Sequence, residues 1–180
     1  MEKNKADYKF TISEVLDQYG NSLKSLSNTK PLLVVFLRHL GCTFCREAVA
    51  DIAKMRYGIE AEAQIAFVHM GSEAQAKPFF ASYDLEDVSR FSDPTKQLYE
   101  AFNLHRGSII QLFGPAALLQ GLRSLKAGHG QGKLMGDGMQ MPGIFLLNDG
   151  KIVKSFIHAN AGDRPDYMGM ATCELLASTG

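Results

Sequence analysis

Residues 31–58 read PLLVVFLRHLGCTFCREAVADIAKMRYG, and this stretch limits what the chain can fold into. Leu32 to Leu37 is an unbroken apolar run of the kind that forms a strand buried on both faces. Arg38 to Gly41 makes a polar bend, with Gly41 supplying the backbone freedom of a tight turn. From about Phe44 the apolar period becomes helical. Ala48, Val49, Ile52, Ala53 and Tyr57 fall on one face, and Glu47, Asp51 and Lys54 on another. Cys42 and Cys45 therefore stand where a buried strand hands over to a helix, Cys42 at the helix N-terminus and Cys45 inside the first turn.

That placement favours redox chemistry. A helix N-terminus exposes unpaired N–H groups and carries roughly half a positive charge, which favours a thiolate over a thiol. In this setting cysteine pKa values fall to about 3.5–7.5. The spacing puts the two sulfurs within disulfide reach, with Cys42 the expected exposed nucleophile and Cys45 the resolving thiol. Arg38 suits either a thiolate partner or an ordinary ion pair at the end of the sheet. His39 offers an imidazole that titrates near neutrality, although a solvent-facing bend residue is the expected reading. Zinc needs four ligands, and the sequence has no second C-x-x-C and no H-x-x-x-H, so neither a metal nor another cofactor is expected. Cys173 is expected to pack as a small apolar side chain.

Composition narrows the function classes. The 180 residues are 46% hydrophobic and 21% charged, ordinary for one domain with a real core. Nineteen basic and nineteen acidic residues cancel, so no basic stripe suggests nucleic acid. No run of eighteen apolar residues suggests a membrane span. The start, MEKNKADYKF, lacks the apolar stretch of a signal peptide. A C-x-x-C in a chain without an export signal reads as a redox pair in a reducing cytoplasm.

In chain order, residues 1–9 are expected to fray, with a short helix broken at Gly20-Asn21 and a loop through Leu23 and Leu26. Residues 1–29 form an N-terminal extension and 30–180 the domain. Ala63 to Met70 is a second buried strand. Ser72 with Gln75 forms a capping box for a helix to Tyr83. Val88 to Phe91 is a strand, and Pro94 opens the next helix. Residues 103–113 have no clear assignment. Pro115 starts a helix stopped by Gly128, and the glycine-rich GHGQGKLMGDG, holding His129, is a flap near Met141-Pro142. Met135, Met139 and Met141 fit an apolar groove and core packing equally well. Asn148-Asp149-Gly150 marks a hairpin between Gly143–Leu147 and Lys151–Ile157. A final helix runs from about Asp166 to Ser178. The order predicts an α/β fold, a mixed central sheet with helices on both faces.

The C-x-x-C at a strand–helix junction, Pro142 before a hairpin and the closing helix resemble the thioredoxin fold. Within it, FLRHLGCTFCREAVADI, SDPTKQLYEAFNL and QMPGIFLLNDGKIVKSFIHANAGDRPDY resemble peroxiredoxin-like proteins of the AhpC/TSA superfamily, in the subgroup with a C-x-x-C. The resemblance covers roughly residues 30–167. It implies Cys42 as the nucleophile and Cys45 as its partner. Pro142 would be the fold's cis-proline, with the Met141 backbone beside the substrate. Thr43 and Phe44, between the thiols, join them as substrate-binding candidates, and Arg164 becomes a candidate active-site cation. Peroxiredoxins carry a proline and a threonine or serine shortly before the cysteine; here His39 stands three residues before Cys42, and no proline lies between Pro31 and that cysteine. The implied activity is hydroperoxide reduction ending in a Cys42–Cys45 disulfide, cleared by an external thiol reductant such as a thioredoxin or glutathione system. Reduction of protein disulfides stands as the alternative, as does a redox-responsive binding protein without turnover, its Gly128–Pro142 flap remodelled by the disulfide. A homodimer is also compatible.

Overall fold

The computed structural model describes residues 2–108, 137–159 and 163–172. At its centre lies β1 (Leu32–Phe36), every residue of which is buried. It pairs in parallel with β2 (Gln64–His69) and antiparallel with β4 (Gly143–Asn148). β3 (Ser89–Ser92) lies parallel to β2, and β5 (Lys151–Ile157) antiparallel to β4, giving the order β3-β2-β1-β4-β5. A strand with both edges paired and both faces covered must be apolar throughout, which accounts for LLVVF.

Alternate residues of β1 feed two cores. Leu33 and Val35 pack with Val49 and Ile52 of α3 (Thr43–Glu62), with Phe79 and Phe80 of α4 (Glu73–Ala81), and with Tyr167 of the terminal helix. Leu32, Val34 and Phe36 pack on the other face. Their partners there include Ile12 of α1 (Glu2–Glu14), Leu23 of α2 (Leu23–Thr29), and Leu98 and Tyr99 of α5 (Gln97–Ala101). The terminal helix α6 spans Tyr167–Ala171. The mixed sheet with helices on both faces is the architecture expected from the sequence.

On the second face the rings of Phe36, Tyr99, Phe102 and Phe145 meet at centroid separations of 4.8–5.6 Å. From this cluster Tyr99 Oη donates to the Leu37 carbonyl at 2.6 Å and approaches that of Val68 at 3.2 Å. Leu37 N donates to Val68 O at 2.9 Å. The end of β1 is thus pinned immediately before Arg38.

Several local expectations are corrected. Residues 2–9 are helical rather than frayed. The stretch with Leu23 and Leu26 is a helix, because Ser22 and Ser25 form a reciprocal capping box. Helix α5 begins after Pro94, since Lys96 takes a left-handed φ of 64° and the Asp93 carboxylate instead accepts from Gln97 N and Leu98 N. Tyr57 is 88% exposed, because the buried seam of α3 runs through Cys45, Val49, Ile52 and Ile59 and passes it by. The hairpin turn forms as expected, with Asp149 and Gly150 both at positive φ, the type I′ geometry. The Pro115 helix, His129 and most of the glycine-rich flap, Met135 and Cys173 lie outside the described residues.

The two edges of the sheet differ. At β3 the Gln18 side chain acts as a substitute strand, its Nε2 donating to Val88 O at 2.9 Å and its Oε1 accepting from Arg90 N at 2.8 Å. Among the described residues β5 is paired on one side, and Ile152, Val153 and Ile157 stand exposed along it.

Candidate active site

Beyond the pinned end of β1 the chain turns in a bend closed by Cys42 N donating to His39 O at 3.0 Å. Cys42 is the N-cap of α3, with extended backbone, and Cys45 lies in the first helical turn. Arg38 serves both sulfurs. Its backbone N–H donates to Cys45 Sγ at 3.2 Å, and its Nη1 lies 3.6 Å from Cys42 Sγ. Its Nη2 donates to the Gly138 carbonyl.

That carbonyl belongs to a strap, residues 137–141, anchored on the segments that flank α5. Asp137 pairs with Lys96 at 3.1 Å and Arg106 at 3.2 Å. Gly107 N donates to Met139 O at 2.7 Å, Gln140 Nε2 to Leu104 O at 2.8 Å, and Met141 N to His105 O at 3.2 Å. In the strap Met141 packs against Met139 and against Phe44 of α3.

Cys42 is buried, 5% exposed, where an exposed nucleophile was expected; Cys45 is 4% exposed. His39, expected in solvent, is also buried. The Met141–Pro142 bond is trans, correcting the expected cis-proline, and among the described residues no peptide bond is cis. Pro142 nonetheless stands beside Cys45 in a cleft, as does Phe44, while Thr43 is half-buried at the start of α3.

The electrostatics separate the two thiols. The Cys45 S–H donates to Cys42, which with the Arg38 charge and the Phe44 and Cys45 amides outweighs burial and draws the Cys42 pKa down to about 6. Burial first, and then the hydrogen bond and negative charge shared with Cys42, raise Cys45 well above an ordinary thiol. The reduced site is thus a thiolate on Cys42 hydrogen-bonded by a neutral Cys45. Burial, helped by Arg38, lowers His39 to about 4, so its ring is neutral at physiological pH.

The cleft holds about 420 Å³ of space continuous with solvent. Phe44, Ala48, Pro142, Ile144 and Tyr167 form its apolar lining, with Cys45, Glu47, His158 and Arg164 as polar members. Arg164 Nη1 meets the buried Glu47 carboxylate at 3.0 Å, and its Nη2 meets Asp51, clamping the 163–166 segment onto α3. His158 Nδ1 lies 3.2 Å from Pro142 O. A carbonyl only accepts, so Nδ1 carries the proton. Sequence reasoning missed Glu47, assigned to a polar face, and it missed His158, Gly138 and Tyr99. For the last three no motif existed to find, because their roles depend on long-range packing.

A thioredoxin-type sheet presenting an asymmetric dithiol at the junction of its central strand and a long helix defines a thiol-dependent oxidoreductase. The chain belongs to the AhpC/TSA antioxidant enzyme family, whose pattern matches residues 51–160. The match begins within α3, beyond both thiols. The prostamide/prostaglandin F synthase of Xenopus tropicalis is 31% identical over 147 residues, covering 78% of this chain and 72% of that protein. The chloroplastic thioredoxin-like protein AAED1 of Arabidopsis thaliana is 30% identical over 176 residues, 91% of this chain and 70% of its own length. The structure of the peroxidoxin BcpB from Mycobacterium tuberculosis superposes with a TM-score of 0.60 over 87% of this chain and 86% of that one, at 15% identity. At that identity the likeness concerns the fold.

Proposed function

We propose that the protein reduces hydroperoxides with Cys42 as nucleophile and Cys45 as resolving thiol. The observation that carries this reading is the opposed protonation of two adjacent, equally buried sulfurs. The Cys42 thiolate attacks the terminal oxygen of ROOH. An S–O bond forms, the O–O bond breaks, and its electron pair leaves on RO⁻, which takes a proton from water to become ROH. Cys42 is left as a sulfenic acid. Cys45 then attacks the Cys42 sulfur, its proton leaves with the hydroxide as water, and a disulfide remains. An external dithiol of the thioredoxin type, or two molecules of glutathione, returns both thiols and is itself oxidised.

Arg38 is the proposed thiolate stabiliser. Thr43, Phe44, Met141 and Pro142 are the proposed surroundings of the substrate, with the apolar cleft beside them for its organic group. Residues 1–29 act as an extension covering the second face of the sheet, and 30–180 as the catalytic domain. The cytoplasm is the proposed location; among the described residues no helix is long and apolar enough to cross a membrane. The name AhpC/TSA antioxidant enzyme and the peroxidoxin fold neighbour support peroxide as substrate. Stopped-flow consumption of peroxide by the reduced protein tests it. Fast consumption that vanishes in Cys42→Ser, with a trapped sulfenic acid in Cys45→Ser, is the expected result. A rate no greater than that of a free thiol would sink the reading.

A further inference from the structure

The peptide group just beyond β1 is held from two sides, and its partners come from the two separate cores of the sheet. On the second face the Asp93 carboxylate caps α5, the helix that carries the fully buried Tyr99. Tyr99 Oη donates to the Leu37 carbonyl at 2.6 Å, with a longer approach of 3.2 Å to Val68 O. The nitrogen of that same peptide group is Arg38 N, whose proton goes to Cys45 Sγ at 3.2 Å. Cys45 in turn gives its S–H to Cys42. A phenol, an amide and two thiols thus form an unbroken chain of donors and acceptors. Every residue along it is buried.

Hydrogen bonds that share a group polarise one another, the more so in a dry interior. A donor on the Leu37 carbonyl draws electron density through the amide and makes Arg38 N–H a better donor. A stronger bond to Cys45 Sγ makes the Cys45 S–H a better donor to the Cys42 thiolate. We propose that Tyr99 is a positioning residue of the dithiol, its hydroxyl acting through the Leu37–Arg38 peptide to strengthen the hydrogen bond that Cys45 gives to Cys42. The same anchor fixes the backbone from which the Arg38 guanidinium comes within 3.6 Å of Cys42 Sγ. Arg38 and Cys45 are the charged and titratable side chains that act on Cys42, and Tyr99 bears on both. Burial keeps the Tyr99 proton in place well above the ordinary tyrosine range, so the phenol remains a donor wherever Cys42 titrates. This role rests on the proposed order of the two thiols and is independent of the oxidant they meet.

Alkylation of Cys42 by iodoacetamide, followed against pH by mass spectrometry on the reduced full-length protein, reads the effect. Tyr99→Phe keeps the ring in its cluster and removes only the hydroxyl. We expect the alkylation midpoint to rise from near pH 6 by about 0.3 of a unit, a roughly twofold loss of thiolate preference. In a nitrogen–proton correlation spectrum the Arg38 amide proton should move upfield as its bond to Cys45 weakens. Phe102→Leu loosens the same ring cluster and leaves the hydroxyl in place. It should lower the melting midpoint while the alkylation midpoint stays where it was. An unmoved alkylation midpoint in Tyr99→Phe overturns the assignment. So does an equal rise in Phe102→Leu, which would place the effect on general packing. Peroxide consumption by the wild-type protein decides the peroxidase reading separately, so either can fail while the other stands.

Discussion

Cys42 and Cys45 lie one helical turn apart and are buried to the same degree, so desolvation opposes ionisation at both. Their proton affinities nevertheless diverge. Cys42 receives: an S–H from Cys45, the charge of Arg38 and the amide groups at the helix start all point toward it. Cys45 gives its proton to that hydrogen bond and faces the negative charge it helps to create. The difference shows that burial alone does not set a thiol's reactivity; the direction of the surrounding dipoles does. It also assigns the order of events, since the sulfur ionised in the reduced protein attacks first.

The largest test of this asymmetry is Cys42→Ser, which should lower peroxide reduction by roughly 10³-fold or more, because no other described sulfur is ionised near neutrality. Cys45→Ala comes next. Removing the strongest single contribution should raise the Cys42 alkylation midpoint from near pH 6 by about one unit, equal to roughly 1.4 kcal/mol of lost thiolate stabilisation. Arg38→Met should raise the same midpoint by about half a unit, and hydrogen exchange at residues 137–141 should quicken as Gly138 O loses its donor. A midpoint unmoved by either variant would mean the helix start alone makes the thiolate.

The smallest effect concerns the pH range in which the asymmetry can be observed. His69 is fully buried, neither ring nitrogen has a partner, and desolvation lowers its pKa to about 4. Folding lowers this pKa, so the unfolded chain binds the proton more tightly. Stability is present in full above the unfolded value of about 6.5 and is lost as pH falls toward about 4. His39 loses stability over the same window. His69→Leu should move the midpoint of acid unfolding down by a few tenths of a pH unit, as followed by circular dichroism. An unchanged midpoint would assign the acid limit to other groups.

The central strand, the dithiol helix, the second strand, the capping box at Ser72 and the hairpin were legible because each rests on local chemistry: period, cap or turn residue. Helix α2 escaped because Ser22 and Ser25 form a capping box in which serine stands where glutamate or glutamine is usual. Glu47 escaped because a helical wheel assigns a carboxylate to solvent, whereas Arg164, far along the chain, reaches back to it. The dithiol itself could be read, but its concealment could not. The strap whose Gly138 carbonyl accepts from Arg38 is held by Asp137, Gln140 and Met141 on residues to either side of α5, a pairing no local pattern announces.

The Gln18 amide at the outer strand has a consequence for assembly. A sheet that adds neighbours at both margins can polymerise without limit, whereas one with a single receptive margin stops at a pair. With the Val88 carbonyl and the Arg90 amide taken up by a side chain of the same protein, the β3 margin has its first ladder groups already paired, and among the described strands β5 is the margin a further strand would meet.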